Sequence, residues 1–447
     1  MASKTPLLRA IAQRHYAAGQ AAAKPLQSAA SQDVKSTVLP NKLIVTSVDN
    51  NSPLSRVSIF FRAGSRYETA ENLGAAHFLR IIAGLTTKGA SHFSITRNLQ
   101  QYGANLTCQV GREHISYTLE ATNDSIEPTV QYLLEIASKQ AFKPWELADA
   151  VPRLKYELAG LSAPARGIDL LHKAAYRTGL GNSLYVASHN VGKISSETLQ
   201  HYVNQTFTTT RGAVVGIGVG QDLLVPAAQS LALDSNNGPA ASKPTFNAGE
   251  IRQEGGSSSA FIAIATEGAS VSNAKDAIVY ALLHRVAGAG PSVKWSNGAS
   301  TSPIAKAACA AAENEIVAAS GFNVSYSDSG LFGAVVAAPG NVAGKALEAV
   351  VRSLKSLSVS DADVKRAKAQ LKAQILQESE TGSGLSESIG LEAVLRGSVA
   401  SASQVVSLVD GVSTSDVAAA AKKVAGGKFA LAALGNISGV PYLDQLK

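Results

Sequence analysis

Apolar and polar residues follow strand-like and helix-like periods along the chain, and the same order of elements occurs twice. In the first half the pattern predicts strand Arg56–Phe61, helix Leu73–Ala83, strands Asn105–Val110 and Ile115–Ala121, helices Pro144–Leu161 and Ser196–Phe207, and strand Ala213–Val219. The counterparts in the second half are strand Ala260–Ala265, helix Ala274–Val286, strands Asn323–Ser327 and Leu331–Ala337, helices Asp361–Gln377 and Ser415–Ala425, and strand Phe429–Leu434. Asn105 and Asn323 are 218 positions apart, and Leu154 and Leu371 are 217 apart. These matching separations predict a duplicated unit.

The duplication predicts two homologous α+β domains, each a mostly antiparallel sheet with helices packed on one face. The N-terminal domain is expected over residues 33–221 and the C-terminal domain over residues 249–447. Residues 222–248 are rich in Ser, Asn, Gly and Pro, which is typical of a linker. Ser196 and Ser415 are expected to be the N-caps of their helices, because each directly precedes an acidic residue.

The first 32 residues differ in composition from the rest of the chain. They carry Lys4, Arg9, Arg14 and Lys24, and the first acidic residue is Asp33. A basic, Ser- and Ala-rich, amphipathic leader of this kind is typical of a mitochondrial transit peptide, with cleavage expected after Tyr16. The alternative interpretation is a disordered basic tail.

Composition limits the class of protein. The chain has 447 residues, of which 45% are hydrophobic and 16% charged, so intrinsic disorder and coiled coil are excluded. The net charge is +7, and loss of residues 1–16 would remove three basic residues and leave +4, which weakens the case for nucleic-acid binding. No stretch approaches the ~20 apolar residues of a membrane span. Two cysteines, Cys108 and Cys309, do not make a disulfide framework.

Few motifs in the chain carry chemistry. None of the eight histidines is followed by another four residues later, and no G-x-S-x-G elbow is present. The glycines at 216, 218 and 220 follow a predicted strand, as in a phosphate-binding turn. Pro226 and the predicted linker come next, where a helix and a second parallel strand would be needed, so a nucleotide site is disfavoured.

The segment Gly74–Ile81, GAAHFLRI, resembles the zinc helix of the pitrilysin-type metallopeptidases, which carries H-x-x-E-H. The resemblance implies that His77 matches the first zinc ligand and Glu157 the third, on a later helix. Arg80 stands where the family has its general base, and Ile81 stands where it has the second histidine. His77 and Glu157 are therefore either surviving metal ligands or inherited polar residues. We expect the second, with no bound metal, no cofactor and no catalytic residue.

Three further segments resemble the core subunits of mitochondrial ubiquinol–cytochrome c reductase (complex III), which belong to the same family. They are Gly84–Ser91, Gly288–Lys294 and Phe322–Gly333. The resemblance implies a non-catalytic subunit that pairs with core protein 1 and supports the cytochrome and Rieske subunits of a dimeric complex. It also implies a peripheral position on the matrix side of the inner membrane, without nucleic acid. The alternative is a non-catalytic α-type subunit of the mitochondrial processing peptidase that binds presequences.

Overall fold

A computed structural model describes residues 33–290, 302–313 and 315–446. The predicted transit peptide with its cleavage site after Tyr16 lies outside the described residues, as do residues 291–294 of the segment Gly288–Lys294. The residues from Val34 onward form one compact unit.

Eleven strands of the described chain form two sheets. The strands are β1 (Val34–Val38), β2 (Ile44–Val48), β3 (Leu54–Phe61), β4 (Asn105–Val110), β5 (Ile115–Thr122), β6 (Gly212–Ile217), β7 (Glu250–Glu254), β8 (Ser259–Glu267), β9 (Ala318–Ser325), β10 (Gly330–Pro339) and β11 (Ala430–Gly435). The first sheet has the order β1-β2-β6-β3-β5-β4, and the second has the order β7-β11-β8-β10-β9. Only the pairs β2–β6 and β7–β11 are parallel. The predicted α+β class with mostly antiparallel sheets is confirmed.

Fourteen helices occur in the described residues. They are α1 (Ala75–Ile81), α2 (His92–Gln101), α3 (Asn123–Ser138), α4 (Pro144–Ala159), α5 (Ala163–Tyr176), α6 (Ser196–Thr206), α7 (Gln221–Gln229), α8 (Ala274–Ala287), α9 (Pro303–Ala311), α10 (Ala343–Lys355), α11 (Asp361–Glu380), α12 (Gly382–Arg396), α13 (Ala402–Asp410) and α14 (Thr414–Gly426). Side chains point alternately to the two faces of a strand, so the positions of the apolar residues decide which face the helices cover. On β3, Val57, Ile59 and Phe61 join the core beneath the helices of the first half.

Phe60 points to the opposite face of the first sheet, where a helix of the second half covers it. Leu385 and Ile389 of α12 pack on Phe60. In return, α5 of the first half packs on β8 and β11 of the second sheet. Each half's own helices lie on one face, as predicted, and the helix exchanged with the other half covers the second face. The repeat extends to this pair, since Ala163 and Gly382 are 219 positions apart.

Glycines allow the exchanged helices to approach the sheets closely. A Cβ atom added at Gly390 would lie 2.2 Å from Cε2 of Phe60, and one added at Gly167 would lie 2.3 Å from Cδ1 of Phe261. Only a residue without a side chain fits between each helix and the aromatic ring beneath it.

Both predicted N-caps are wrong by one or two residues. The side chain of Ser195 accepts the N–H of Thr198, and the side chain of Ser413 accepts the N–H of Asp416. A capping oxygen reaches the backbone two or three residues ahead, so the cap must stand one position before the first helical residue. The hydroxyl of Ser196 instead donates to the carbonyl oxygen of Phe142.

Two predicted segments differ in extent. The predicted strand Asn323–Ser327 is β9, which begins earlier and ends at Ser325, because the N–H of Tyr326 donates to the carbonyl of Ser329 and closes a turn. The first part of the predicted linker is helix α7, with Pro226 inside it. The helix begins directly after Gly220, and its apolar residue Leu224 is buried.

The rest of the predicted linker is fixed to the first half. The guanidinium of Arg66 donates to the carbonyl of Ser242 at 2.9 Å, and that of Arg211 donates to the carbonyl of Pro239 at 2.8 Å. The ring of Phe246 contacts Tyr176 edge-on. Specific contacts therefore hold this segment in place, although its composition is typical of a flexible linker.

Candidate functional site

Helix α1 carries the predicted site, and a buried carboxylate fixes its start. Glu68 accepts the N–H groups of Gly74 and Ala76, each at 2.8 Å. Burial raises the pKa of Glu68 to about 7, and these two hydrogen bonds act against the rise. Gly74 has a φ of 92°, and a Cβ atom there would lie 2.9 Å from Cα of Val186. The glycine thus brings the helix against the chain at Val186.

His77 is buried, and both of its ring nitrogens have partners. The N–H of Val186 donates to Nδ1 at 3.2 Å, so the proton of the neutral ring lies on Nε2. Nε2 faces Oε1 of Glu157 at 3.1 Å, and the ring meets Tyr185 edge-on. Burial, and then the charge of Arg80, lower the pKa of His77 to about 4. The imidazole is therefore neutral near pH 7, and its free lone pair is used by the backbone.

Arg80 and Glu157 form an ion pair beside His77. Nη2 of Arg80 lies 3.2 Å from Nε2 of His77. Because both nitrogens carry hydrogen in the tautomer above, they do not bond to each other, and both donate toward the carboxylate of Glu157. The side chains of Arg80 and Glu157 are 31% and 30% exposed, so the ion pair lies near the protein surface.

Ile81 is 3% exposed and belongs to the apolar core of the first half. The structure therefore brings together three of the four predicted positions, His77, Arg80 and Glu157, and the fourth offers only an alkyl side chain. Zinc in proteins needs three or four N, O or S ligands that are free to coordinate. One imidazole, one carboxylate already paired and a permanent cation do not fit this requirement. Among the described residues, no group of three or more His, Cys, Asp or Glu side chains is arranged to hold a metal ion.

Several residues that shape the site were not predicted from the sequence. Val186 and Tyr185 come from a segment more than 100 positions after His77, and Glu68 precedes the helix by only a few residues. No periodic pattern marks a backbone N–H as the partner of a histidine.

Within the described residues, no helix combines the length and apolar character needed to cross a membrane.

Comparisons with known proteins identify the family. Residues 43–188 match the family described as insulinase (peptidase family M16), and residues 191–371 match the peptidase M16 inactive domain. The mouse protein "Cytochrome b-c1 complex subunit 2, mitochondrial" is 39% identical over 94% of this chain and 93% of its own length. The human protein of the same name is 37% identical over 93% and 92%.

A solved structure shares the fold. The chain superposes on a chain of "Complex III2 from Candida albicans, Inz-5 bound" with a TM-score of 0.81, 19% sequence identity, and coverage of 93% of this chain and 99% of that one. At this identity the likeness shows the fold alone. The predicted pitrilysin-type resemblance is confirmed by the family matches. The chain belongs to peptidase family M16 and, within it, to the group of the mitochondrial cytochrome b-c1 complex subunit 2 proteins.

Proposed function

We propose that the chain is a non-catalytic core subunit of mitochondrial complex III, of the core protein 2 type, with a structural role in the ubiquinol–cytochrome c reductase. The observation that carries the proposal is the Arg80–Glu157 ion pair beside a neutral His77, in a chain 39% identical to a named complex III subunit. The electron-carrying cofactors belong to other subunits.

The lack of peptidase chemistry follows from the side chains that replace the family's catalytic groups. A general base must accept a proton from water, and a guanidinium stays protonated in proteins. Glu157 already neutralises Arg80 and accepts from His77. The lone pair of His77 that could bind a metal accepts the N–H of Val186. His77, Arg80, Ile81 and Glu157 are therefore remnants of a zinc site, with neither a catalytic nor a metal-binding role.

The partners follow from the group to which the chain belongs. It pairs with core protein 1 and holds the cytochrome and Rieske subunits, in a complex that is itself a dimer. It lies in mitochondria, peripheral to the inner membrane on the matrix side, and is held there by other subunits. Trp145 and Tyr156, on the solvent side of α4, are large exposed aromatic residues that support contact with another subunit.

The chain's organisation is proposed along the same lines. Residues 1–32 are a transit peptide and leader, with cleavage after Tyr16. Residues 33–221 and 249–447 are the two peptidase-like domains, and residues 222–248 join them. Each domain contains one of the two sheets, and the exchanged helices α5 and α12 join the domains firmly.

Depletion of the chain in cells tests the proposal against the processing-peptidase alternative. Ubiquinol–cytochrome c reductase activity and presequence cleavage are measured in the same mitochondria. Loss of reductase activity with normal cleavage is expected, and both the wild type and Glu157→Gln should restore it, because the residue has no catalytic role. Loss of cleavage while the reductase is intact would favour the processing-peptidase subunit.

A further inference from the structure

A turn of the second half reaches into the first half and meets buried charges there. The turn joins β9 to β10 and lies within the segment Phe322–Gly333. Nη1 and Nη2 of Arg66 donate to the two carboxylate oxygens of Asp328 at 2.7 and 2.6 Å. Nη1 of Arg66 also donates to Oε1 of Glu113 at 2.5 Å. We call Arg66, Glu113 and Asp328 the inter-half ion cluster.

The backbone of the turn completes the cluster. The N–H of Ser327 donates to Oε2 of Glu113 at 2.8 Å, and the hydroxyl of Ser327 donates to Oε1 at 2.5 Å. The carbonyl of Ser242, in the segment that joins the halves, accepts from Nη2 of Arg66. Residues from both halves and from their connection therefore bind the two terminal nitrogens of a single guanidinium.

Burial makes these contacts difficult to exchange for water. The side chains of Arg66 and Glu113 are 0% and 2% exposed, whereas Asp328 is 40% exposed. Removing one partner of a buried charge pair leaves the other charge uncompensated, which is strongly destabilising. The first half thus supplies the more deeply buried charges, and the second half supplies the turn that covers them.

Further contacts between the halves involve helix α5. The hydroxyl of Tyr326 meets Nε2 of His172 at 2.7 Å, and Nδ1 of the same ring donates to the carbonyl of Ile168. The hydroxyl of Tyr176 contacts Ser329 and the carbonyl of Gly330. In the first half, Arg112 bonds to Asp169 of the same helix. Opening the boundary between the halves would break the bonds of Tyr326 and Tyr176 and uncover the sheet faces beneath α5 and α12.

From these contacts we infer that the inter-half ion cluster locks the two halves in one arrangement, so that the chain acts as a single rigid body. The inference goes beyond the proposed function, because it concerns motion within the chain and holds whatever its partners are. In this inference the turn Tyr326–Ser329 is a docking segment that binds the first half only when Arg66 and Glu113 are in place.

Hydrogen exchange followed by mass spectrometry tests the lock in the complex isolated from cells. Asp328→Asn removes the charge but keeps the side-chain size. Asp410→Asn is the matched control, because Asp410 forms an exposed ion pair with Lys372 within the second half. We expect exchange at least tenfold faster in peptides covering Ser327, α5 and α12 for Asp328→Asn, and less than a twofold change for the control. Faster exchange confined to the turn, or no change, would overturn the inference.

A milder variant covers the case in which Asp328→Asn does not assemble. Ser327→Ala keeps all three charges and removes the hydroxyl that contacts both Glu113 and Arg66. Exchange should rise at least threefold in the same three regions. Unchanged exchange in α5 and α12 would count against the lock.

A crosslink between the halves gives an independent test. Oγ of Ser58 on β3 and Oγ of Ser386 on α12 are 2.9 Å apart in a buried contact between the halves. Cysteines at both positions, once oxidised, should restore slow exchange to α5 in the Asp328→Asn chain, although α5 lies on the other sheet. If α5 still exchanges fast with the crosslink formed, the cluster does not act by holding the halves together.

Discussion

Arg80 should exclude zinc from the remnant site by charge, and a pair of variants isolates this effect. Ile81→His supplies the second family ligand four residues after His77, on the same face of α1. The first variant carries Ile81→His and keeps Arg80. The second adds Arg80→Met, which removes the charge and keeps an unbranched side chain of comparable reach. The difference in zinc affinity between the two measures the whole effect of Arg80, which includes its charge and its ion pair with Glu157.

The structure gives the size of the expected effect. Nη2 of Arg80 lies 3.2 Å from Nε2 of His77. In a zinc-bound form the ring proton would have to move from Nε2 to Nδ1. A zinc ion on Nε2 would then lie about 2.1 Å beyond it, so the two cations would be at most about 5.3 Å apart. At an effective dielectric near 20, a dication and a unit charge at about 5.3 Å repel by about 6 kcal/mol. This corresponds to roughly four powers of ten in affinity.

Partial exposure of Arg80 reduces this figure, because the side chain can turn toward solvent. We therefore expect Arg80→Met to tighten zinc binding at least ~100-fold in the Ile81→His background. Zinc affinity is measured by competition with a chelator of known affinity on the purified full chain, and metal content confirms the stoichiometry. Equal affinity in the two variants would refute the reasoning that Arg80 excludes the metal. Stoichiometric zinc in the wild-type chain would refute the proposed loss of the site.

Four further predictions concern acid stability, packing, processing and membrane association. The pKa of His77 is lowered from 6.5 to about 4, so the contribution of His77 to stability is full well above pH 6.5 and falls as the pH drops toward 4. The loss amounts to about 2 kcal/mol between pH 7.5 and 5. In urea unfolding, His77→Asn should remove this loss while it still accepts the N–H of Val186. The control His201→Asn should not remove it. Gly390→Ala should lower the free energy of unfolding by about 1–3 kcal/mol through the clash with Phe60, whereas Gly382→Ala on the same helix, with open space around it, should not. N-terminal sequencing of the mitochondrial form should begin near Ala17, and a sequence beginning at Met1 would contradict a transit peptide. Alkaline carbonate should release the chain from mitochondrial membranes, and retention in the pellet would contradict a peripheral subunit.

Local patterns predicted most of the elements because helices and edge strands bury one face, and the central strands β3, β6 and β8 are short apolar runs. The strand Asn105–Val110 has the bounds that alternation predicted. The central strands β3 and β8 lie within a few residues of their predicted bounds. The position of Glu157 relative to His77 followed from the family motif. The structure brings their side chains together, and Arg80 pairs with the same carboxylate.

Contacts between distant segments were beyond the sequence patterns. Helix α12 repeats α5 at the same separation as the other pairs, yet nothing in its own sequence tells which sheet it covers. The acceptor role of Nδ1 in His77 depends on a backbone N–H 109 residues away. No local pattern marks Arg66 and Glu113 as buried charges, because the turn that covers them is remote in the sequence. The misplaced caps reflect the presence of two serines one or two positions apart at each helix start, Ser195 with Ser196 and Ser413 with Ser415.

Copurification tests the central claim most directly. Mitochondria are extracted with a mild detergent, the complexes are separated under native conditions, and the chain is followed by mass spectrometry alongside haem absorbance. The account predicts that the chain migrates with b- and c-type haem and with ubiquinol–cytochrome c reductase activity, in constant proportion to core protein 1. A chain found in a soluble, haem-free fraction that cleaves presequence peptides would contradict it.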